Sequence, residues 1–258
     1  MVSIGPTLPW KGSLSATLNG FDFRIIQTTI GERHGPTFPP KVIPEKVDLD
    51  TVVFHANLSI NLSNGKVFWK NILQNTLYAS AKYSILNPEL KIIVVVHIGK
   101  GKGADLDNVI QMTETLVIPN EVELVFENSA GQGHELGYNW AELKYLFDHL
   151  PLKIGFCLDT QHAFASGLCQ WQTKDEIKTF FRRLEQEIPD RLTVIHLNDS
   201  GTPFNSHVDR HGNTNLSKGL IWADYPEAFK YLIRIIEKNN IPAVLETADP
   251  IGDLVYIL

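Results

Sequence analysis

Six short apolar runs in this chain each lead directly into a histidine or a carboxylate. Residues 51–54 lead into His55, 92–96 into His97, 122–126 into Glu127, 155–158 into Asp159, 194–195 into His196 and 243–245 into Glu246. A single histidine after a strand is usually a hydrogen-bonded core or surface residue. A single Asp or Glu there is usually a helix N-cap or a solvated charge. Six in succession mean something else if the ends of the runs meet. Three carboxylates aimed at one pocket repel and raise one another's pKa, and a bound cation removes that conflict. Three histidines with three carboxylates suit zinc or manganese rather than calcium, which prefers oxygen-only sites.

The runs meet only if the chain places them side by side. Residues 21–27, 51–54, 91–96, 122–126, 153–158, 192–195 and 242–245, with 1–5 as a further candidate, are β-branched or aromatic without strict alternation. That pattern predicts parallel strands buried on both faces. Between them lie segments with helical spacing. In 67–85, Phe68, Ile72, Leu73, Leu77 and Ala81 share a side; in 105–116 Leu106, Val109, Ile110 and Thr113 do so. The same spacing marks 140–150, 173–188 and 225–238. Strand–helix alternation along the whole chain predicts an α/β fold with a parallel sheet, and seven or eight units predict a (β/α)8 TIM barrel. Residues 35–44, with Pro36, Pro39, Pro40 and Pro44, can form neither a helix nor a central strand. They stand where the second helix belongs, so the second β/α unit is expected to be degenerate. No repeat or linker interrupts the chain, and residues 1–258 are read as a single barrel domain. In such a barrel the C-terminal strand ends surround one mouth, where active sites sit.

Further residues extend the set. His162 follows Asp159 by three, and a tight turn there would bring both to the cluster. Asp209 and His211 are two apart, on one side of an extended segment. Nine ligand-type residues exceed the needs of one metal ion and suit a multinuclear site with a bridging carboxylate. Lys100 and Lys102, between glycines after His97, could cradle a phosphate, or form a solvated loop. Gln132, between Gly131 and Gly133, has the same two readings. His207 is a weaker candidate, two residues before Asp209.

The composition of 258 residues, 43% hydrophobic and 20% charged, allows a sizeable core and excludes collagen, coiled-coil and disordered classes. Cys157 and Cys169 are too few for a disulfide scaffold and suggest a reducing compartment. No apolar run is long enough to span a bilayer, and no secretory signal is visible, so an intracellular location is expected. The net charge of −6 argues against a protein that coats nucleic acid by bulk electrostatics, but leaves room for one that grips phosphates locally.

The order and spacing of several motifs resemble the endonuclease IV family of apurinic/apyrimidinic endonucleases, as a compact, divergent version of cellular or viral origin. The motifs are Glu127-Asn128-Ser129-Ala130-Gly131-Gln132-Gly133 followed by Leu136-Gly137, and Cys157-Leu158-Asp159-Thr160-Gln161-His162 running on to Gly167. His196-Leu197-Asn198-Asp199, Val208-Asp209-Arg210-His211 and Leu245-Glu246-Thr247 continue the series. Earlier, His55 with Ile60-Asn61-Leu62 downstream and His97 with Gly99 fit as well. The likeness spans roughly residues 50 to 250.

This resemblance implies three zinc ions, with manganese as the alternative. Glu127 would bridge two ions, one completed by His55 and His97 and the other by Asp159, His196 and Glu246. His162, Asp209 and His211 would hold the third. It further implies a monomer that meets double-stranded DNA carrying abasic sites and hydrolyses the phosphodiester 5′ to the lesion. The products would be a 3′-hydroxyl and a 5′-deoxyribose phosphate, as in base excision repair. Glu127 and Glu246 would be the catalytic carboxylates, with Glu246 placed to orient the attacking water. The chain departs from the family where DNA is met. The first strand lacks the family's histidine in Ile4-Gly5-Pro6-Thr7-Leu8. Leu58 stands where an aromatic DNA wedge is usual, and Arg33 is the counterpart of a DNA-probing arginine.

Two other functions compete. Glu127, Asp159, His196 and Glu246 alone reproduce the four-ligand set of a single-metal sugar isomerase or epimerase on a xylose isomerase-like barrel. The other five ligand-type residues discriminate against it, because one metal does not need them. A damage-binding protein without catalysis would account for the altered DNA-contact residues, but not for nine retained ligand types.

Overall fold

The computed structural model describes residues 4–7, 24–30, 49–211 and 214–257. Eight parallel strands form one sheet: β1 (Ile4–Pro6), β2 (Ile25–Thr29), β3 (Thr51–His55), β4 (Lys91–His97), β5 (Val122–Glu127), β6 (Gly155–Asp159), β7 (Leu192–His196) and β8 (Ala243–Leu245). Their order, β1-β8-β7-β6-β5-β4-β3-β2, leaves β1 and β2 at the two margins. A parallel bridge between Thr7 and Gln27 brings those margins together, so the sheet is a nearly closed barrel. The predicted TIM barrel is thus the observed architecture. Arg33, His34 and the proline-rich stretch, on which the degenerate second unit rests, lie outside the described residues.

Seven α-helices are described, besides a 3-10 turn at Leu62–Asn64: α1 (Val67–Leu86), α2 (Leu106–Glu114), α3 (Trp140–His149), α4 (Thr160–Ala165), α5 (Lys174–Glu187), α6 (Pro226–Lys238) and α7 (Pro250–Ile257). Local chemistry fixes where several begin. Asp105 and Asn139 accept backbone N–H groups at the starts of α2 and α3. Thr173 and Glu176 form a reciprocal capping box on α5. The five longer helices lie within two residues of the spacing-based reading. On α1, Leu73, Leu77 and Ala81 are buried as expected, whereas Phe68 is exposed, its ring edge on Trp69. The sequence reading did not separate α4 and α7, each of eight residues or fewer, from loops.

Two apolar layers hold the barrel. The outer one packs strand residues such as Phe54, Val94 and Phe126 against helix residues such as Leu77, Leu146 and Leu232. The inner one fills the lumen with Ile25, Val53, Ile93, Val95, Val125, Cys157, Val194 and Val244. Fully burying each such aliphatic side chain is worth about 1.5–3 kcal/mol. Strand side chains repeat every second residue on one face. Two residues beyond Val53, Val95, Val125, Cys157, Val194 and Val244 come His55, His97, Glu127, Asp159, His196 and Glu246. The apolar plug therefore ends where the ligand-type layer begins.

Candidate metal centre

Glu127 stands at the centre of the mouth. Its Oε2 lies 3.3 Å from His55 Nε2 and 3.1 Å from His97 Nε2. Its Oε1 lies 2.9 Å from His196 Nδ1 and 3.4 Å from His162 Nδ1. Oε2 thus faces His55 and His97 while Oε1 faces His196, the disposition of a carboxylate that can bridge two cations. Strand register sets this up. His97 is directly opposite Glu127 on the neighbouring strand, and Asp159 is opposite His196. A register irregularity between Phe156 and Cys157 lies upstream of the second pairing.

The remaining residues join the same network. His196 Nδ1 is 3.3 Å from Glu246 Oε2 and 3.9 Å from Asp159 Oδ2. Asp159 caps α4, its Oδ1 accepting the His162 N–H at 2.7 Å, while its Oδ2 faces inward. The three-residue spacing to His162 is thus the first turn of a helix rather than a tight turn. His162 Nε2 lies 3.5 Å from Asp209 Oδ2, and His211 Nε2 lies 3.3 Å from Asp209 Oδ1. All nine residues singled out in the sequence converge. Four sets of ligand atoms lie close enough to share a cation: His55, His97 and Glu127; Glu127, Asp159, His196 and Glu246; Asp159, His162 and His211; and Glu127, Cys157 and His196.

The donor chemistry fits cations. His55 donates Nδ1–H to the Ala56 carbonyl at 2.8 Å, and His162 donates Nδ1–H to the Asn128 carbonyl at 2.8 Å. Those bonds leave each Nε2 as a lone pair turned into the mouth. His162 Nε2 is buried with no hydrogen bond closer than the 3.5 Å approach of Asp209 Oδ2, a weakly satisfied position that a metal ion between them would fill. Burial opposes charge on Glu127, yet His196 and His97 beside it hold its pKa well below the usual carboxylate range. Burial likewise opposes charge on His162, but Asp159, Asp209 and Glu127 carry its pKa well above that of a free imidazole. Burial also opposes charge on His196, and Cys157, Glu246 and Glu127 outweigh it and raise the pKa. Against its own burial, Asp209 is drawn down to about 2 by His162 and His211. The carboxylates thus demand positive charge. Protonated imidazoles can meet that demand, and divalent cations meet it more compactly.

Leu58 is 62% exposed and lines a small cleft of about 20 Å³ together with Ile60, His97, Lys100, Leu136 and Asp209. Lys100 Nζ lies 3.3 Å from Glu135, and the Lys100 N–H and carbonyl are both held by the Asn61 side chain. Lys102 is exposed on the same loop. Gln132 Oε1 accepts the Asp209 N–H at 3.2 Å, steadying the segment that carries Asp209 and His211. His207 stays outside the cluster, bonded to the Ala130 carbonyl and edge-on to Tyr138.

Sequence reasoning missed three buried amides. Asn128 and Asn198 brace Asp159, and Asn198 also braces Glu246. Gln27 contacts both His196 and Glu246. The signal for Gln27 was a polar residue inside an apolar strand, two positions after the lumen residue Ile25.

The family model for the xylose isomerase-like TIM barrel matches residues 88–250. A probable endonuclease 4 of Haloquadratum walsbyi is 31% identical over 210 residues, 80% of this chain and 73% of that protein. A probable endonuclease 4 of Staphylococcus aureus is 29% identical over 218 residues, 80% of this chain and 69% of that protein. Among solved structures, endonuclease IV from Thermus thermophilus superposes with a TM-score of 0.74 at 23% identity, covering 98% of this chain and 95% of that one, which supports the fold. Sequence and architecture agree, and the chain belongs to the xylose isomerase-like TIM barrel family, within its endonuclease IV group.

Proposed function

We propose that this chain is a metal-dependent endonuclease that hydrolyses the phosphodiester of double-stranded DNA 5′ to an abasic site. The P–O3′ bond breaks, water supplies the new oxygen, and the ends are a 3′-hydroxyl and a 5′-deoxyribose phosphate. The relatives named endonuclease 4 support the DNA-cleaving reading. The observation that carries the metal part is the division of Glu127, with Oε2 toward His55 and His97 and Oε1 toward His196. A single-metal isomerase has no use for a carboxylate divided in this way, nor for Asp209 between His162 and His211.

His55, His97 and Glu127 would hold one ion; Glu127, Asp159, His196 and Glu246 a second; His162, Asp209 and His211 a third. Zinc suits this mixed donor set, with manganese as the alternative. Bound, the ions neutralise the phosphate, lower the pKa of water and stabilise the leaving 3′-oxygen. Glu127 fixes the spacing of the site, and Glu246 orients the attacking water. An abasic nucleotide lacks the stacking of an intact one, so extruding it toward this mouth costs less. Leu58, exposed beside His97, would press on the DNA, and Lys100, Lys102, Gln132 and Arg33 would be further DNA contacts. With a net charge of −6 the protein depends on local contacts for DNA, and binding should weaken with added salt.

The test measures metal content and cleavage together. Protein purified without chelator is assayed on a duplex carrying one synthetic abasic site, as wild type and as Glu127→Ala. About three metal ions per chain and incision 5′ to the lesion are expected, with both reduced in the variant. One metal ion and no incision would favour the sugar isomerase. Metal-loaded protein that binds the damaged duplex without cutting would favour the non-catalytic reading.

A further inference from the structure

On six strands the residue two beyond the lumen plug is a histidine or a carboxylate; on β2 it is Gln27, fully buried, two beyond Ile25. Its amide is committed at both ends. His196 turns Nδ1 toward Glu127 and Glu246, so its Nε2–H points the other way and donates to Gln27 Oε1 at 2.9 Å. The Gln27 NH2 then donates to Glu246 Oε1 at 2.6 Å and to Thr7 Oγ1 at 3.3 Å. A flipped amide would set N–H against N–H and oxygen against carboxylate, so one orientation satisfies the whole set. With Oε1 of Glu246 held, Oε2 is the oxygen turned to the cluster, 3.3 Å from His196 Nδ1. Thr7 and Gln27 are also the pair whose bridge closes the barrel.

We propose that Gln27 is a positioning residue for the metal position of His196 and Glu246. It fixes His196 as an Nδ1 ligand, presents Glu246 through one oxygen, and ties both to the barrel seam. This rests on the metal-centre reading of the proposed function. A histidine that ligates a metal needs a partner for its other ring N–H, and loss of that partner typically weakens metal affinity about 10–100-fold. Here one side chain serves a histidine and a carboxylate at once.

The test is a cobalt(II) titration of the chelator-treated full chain, followed by visible absorption, with thermal melting of the metal-free forms alongside. Three proteins are compared: wild type, Gln27→Met and Thr7→Val. Gln27→Met keeps the side-chain length and removes both polar contacts, whereas Thr7→Val removes only the seam contact. In Gln27→Met one binding step should weaken about 10–100-fold, with an altered cobalt band and the other steps unchanged. Thr7→Val should keep the wild-type isotherm even if it melts earlier. Equal weakening in both variants would reduce Gln27 to a seam residue, and a wild-type isotherm in Gln27→Met would remove the role altogether. Either result overturns the proposal while the metal centre stands. A wild type that takes up no cobalt would instead sink the metal reading and this proposal with it. Should Gln27→Met not fold, Gln27→Glu is read in its place. It keeps an acceptor for His196 but sets a second carboxylate against Glu246, and the same step should weaken.

Discussion

Asn128 and Asp159 grip each other as two strand residues would. Asn128 Oδ1 accepts the Asp159 N–H at 2.7 Å, and Asn128 Nδ2 donates to the Asp159 carbonyl at 3.1 Å. The side chain thereby extends the β5–β6 ladder past its backbone end and sets the spacing between Glu127 and Asp159. The Asn128 carbonyl also takes the His162 Nδ1–H. Replacing Asn128 with Leu leaves the buried Asp159 N–H unsatisfied, at about 1–3 kcal/mol, while the Asp159 carbonyl keeps its bond in the first turn of α4. Urea denaturation of metal-free Asn128→Leu should show a loss of about 1–3 kcal/mol. A change under about 0.5 kcal/mol would mean that the ladder closes without it.

The charge balance at the mouth sets a pH dependence. His162 and His196 have folded pKa values raised above about 6.5, so their stabilisation is complete below that value and is lost as pH rises through the raised ones. Glu127 and Asp209 have lowered values, so their stabilisation is complete above about 4.5 and is lost as pH falls through the folded ones. Metal-free protein should therefore melt highest between about pH 4.5 and 6.5. Metal must displace the imidazole protons, so its affinity should climb above pH 6.5 and uptake should release protons. Calorimetry in buffers of different ionisation enthalpy checks the release. A melting temperature that rose steadily from about pH 5 to 9 without metal would contradict the ion pairing.

The barrel and the nine ligand-type residues were legible because they follow from period and position. Strands buried on both faces are continuously apolar, and a charged or imidazole side chain at the end of each marks the mouth. What could not be read is what holds those residues still. Asn128, Asn198 and Gln27 are buried amides whose partners lie 31, 39 and 169 residues away. No local spacing encodes such partners. Helix α4 was read as a turn because its six residues, Thr160–Ala165, are too few to show a helical period, and its cap, Asp159, was already assigned to the cluster. The ion pair of Lys100 with Glu135, 35 residues on, was likewise invisible to local spacing.

Stability and site can be separated at Arg191. Its guanidinium is buried beyond the opposite end of β7 and donates to the carbonyls of Phe147, Leu150, Pro151 and Ile154 at 2.6–3.0 Å. It therefore caps the C-terminal turn of α3 and the loop that follows. Arg191→Met should cost roughly 3 kcal/mol, the scale of charged hydrogen bonds left unmade, while metal content and turnover of the folded fraction stay at wild-type values. Loss of metal in a folded Arg191→Met would show that the two ends of the barrel are coupled.

If the chain acts as proposed, Leu58 tests the side of the site that would face DNA, apart from the nine ligand-type residues. It projects from the segment after β3 beside His97, mostly exposed, with none of its atoms able to ligate. An apolar side chain there can press between bases, but it cannot supply the stacking of an aromatic ring, worth about 1–3 kcal/mol per base. Leu58→Tyr should therefore tighten binding of an abasic duplex, and Leu58→Asp should weaken it by repelling the phosphates. Both should retain wild-type metal content. Fluorescence anisotropy on matched duplexes with and without the lesion measures the effect. If neither substitution changes the affinity for the abasic duplex relative to the intact one, Leu58 does not meet the DNA at the lesion.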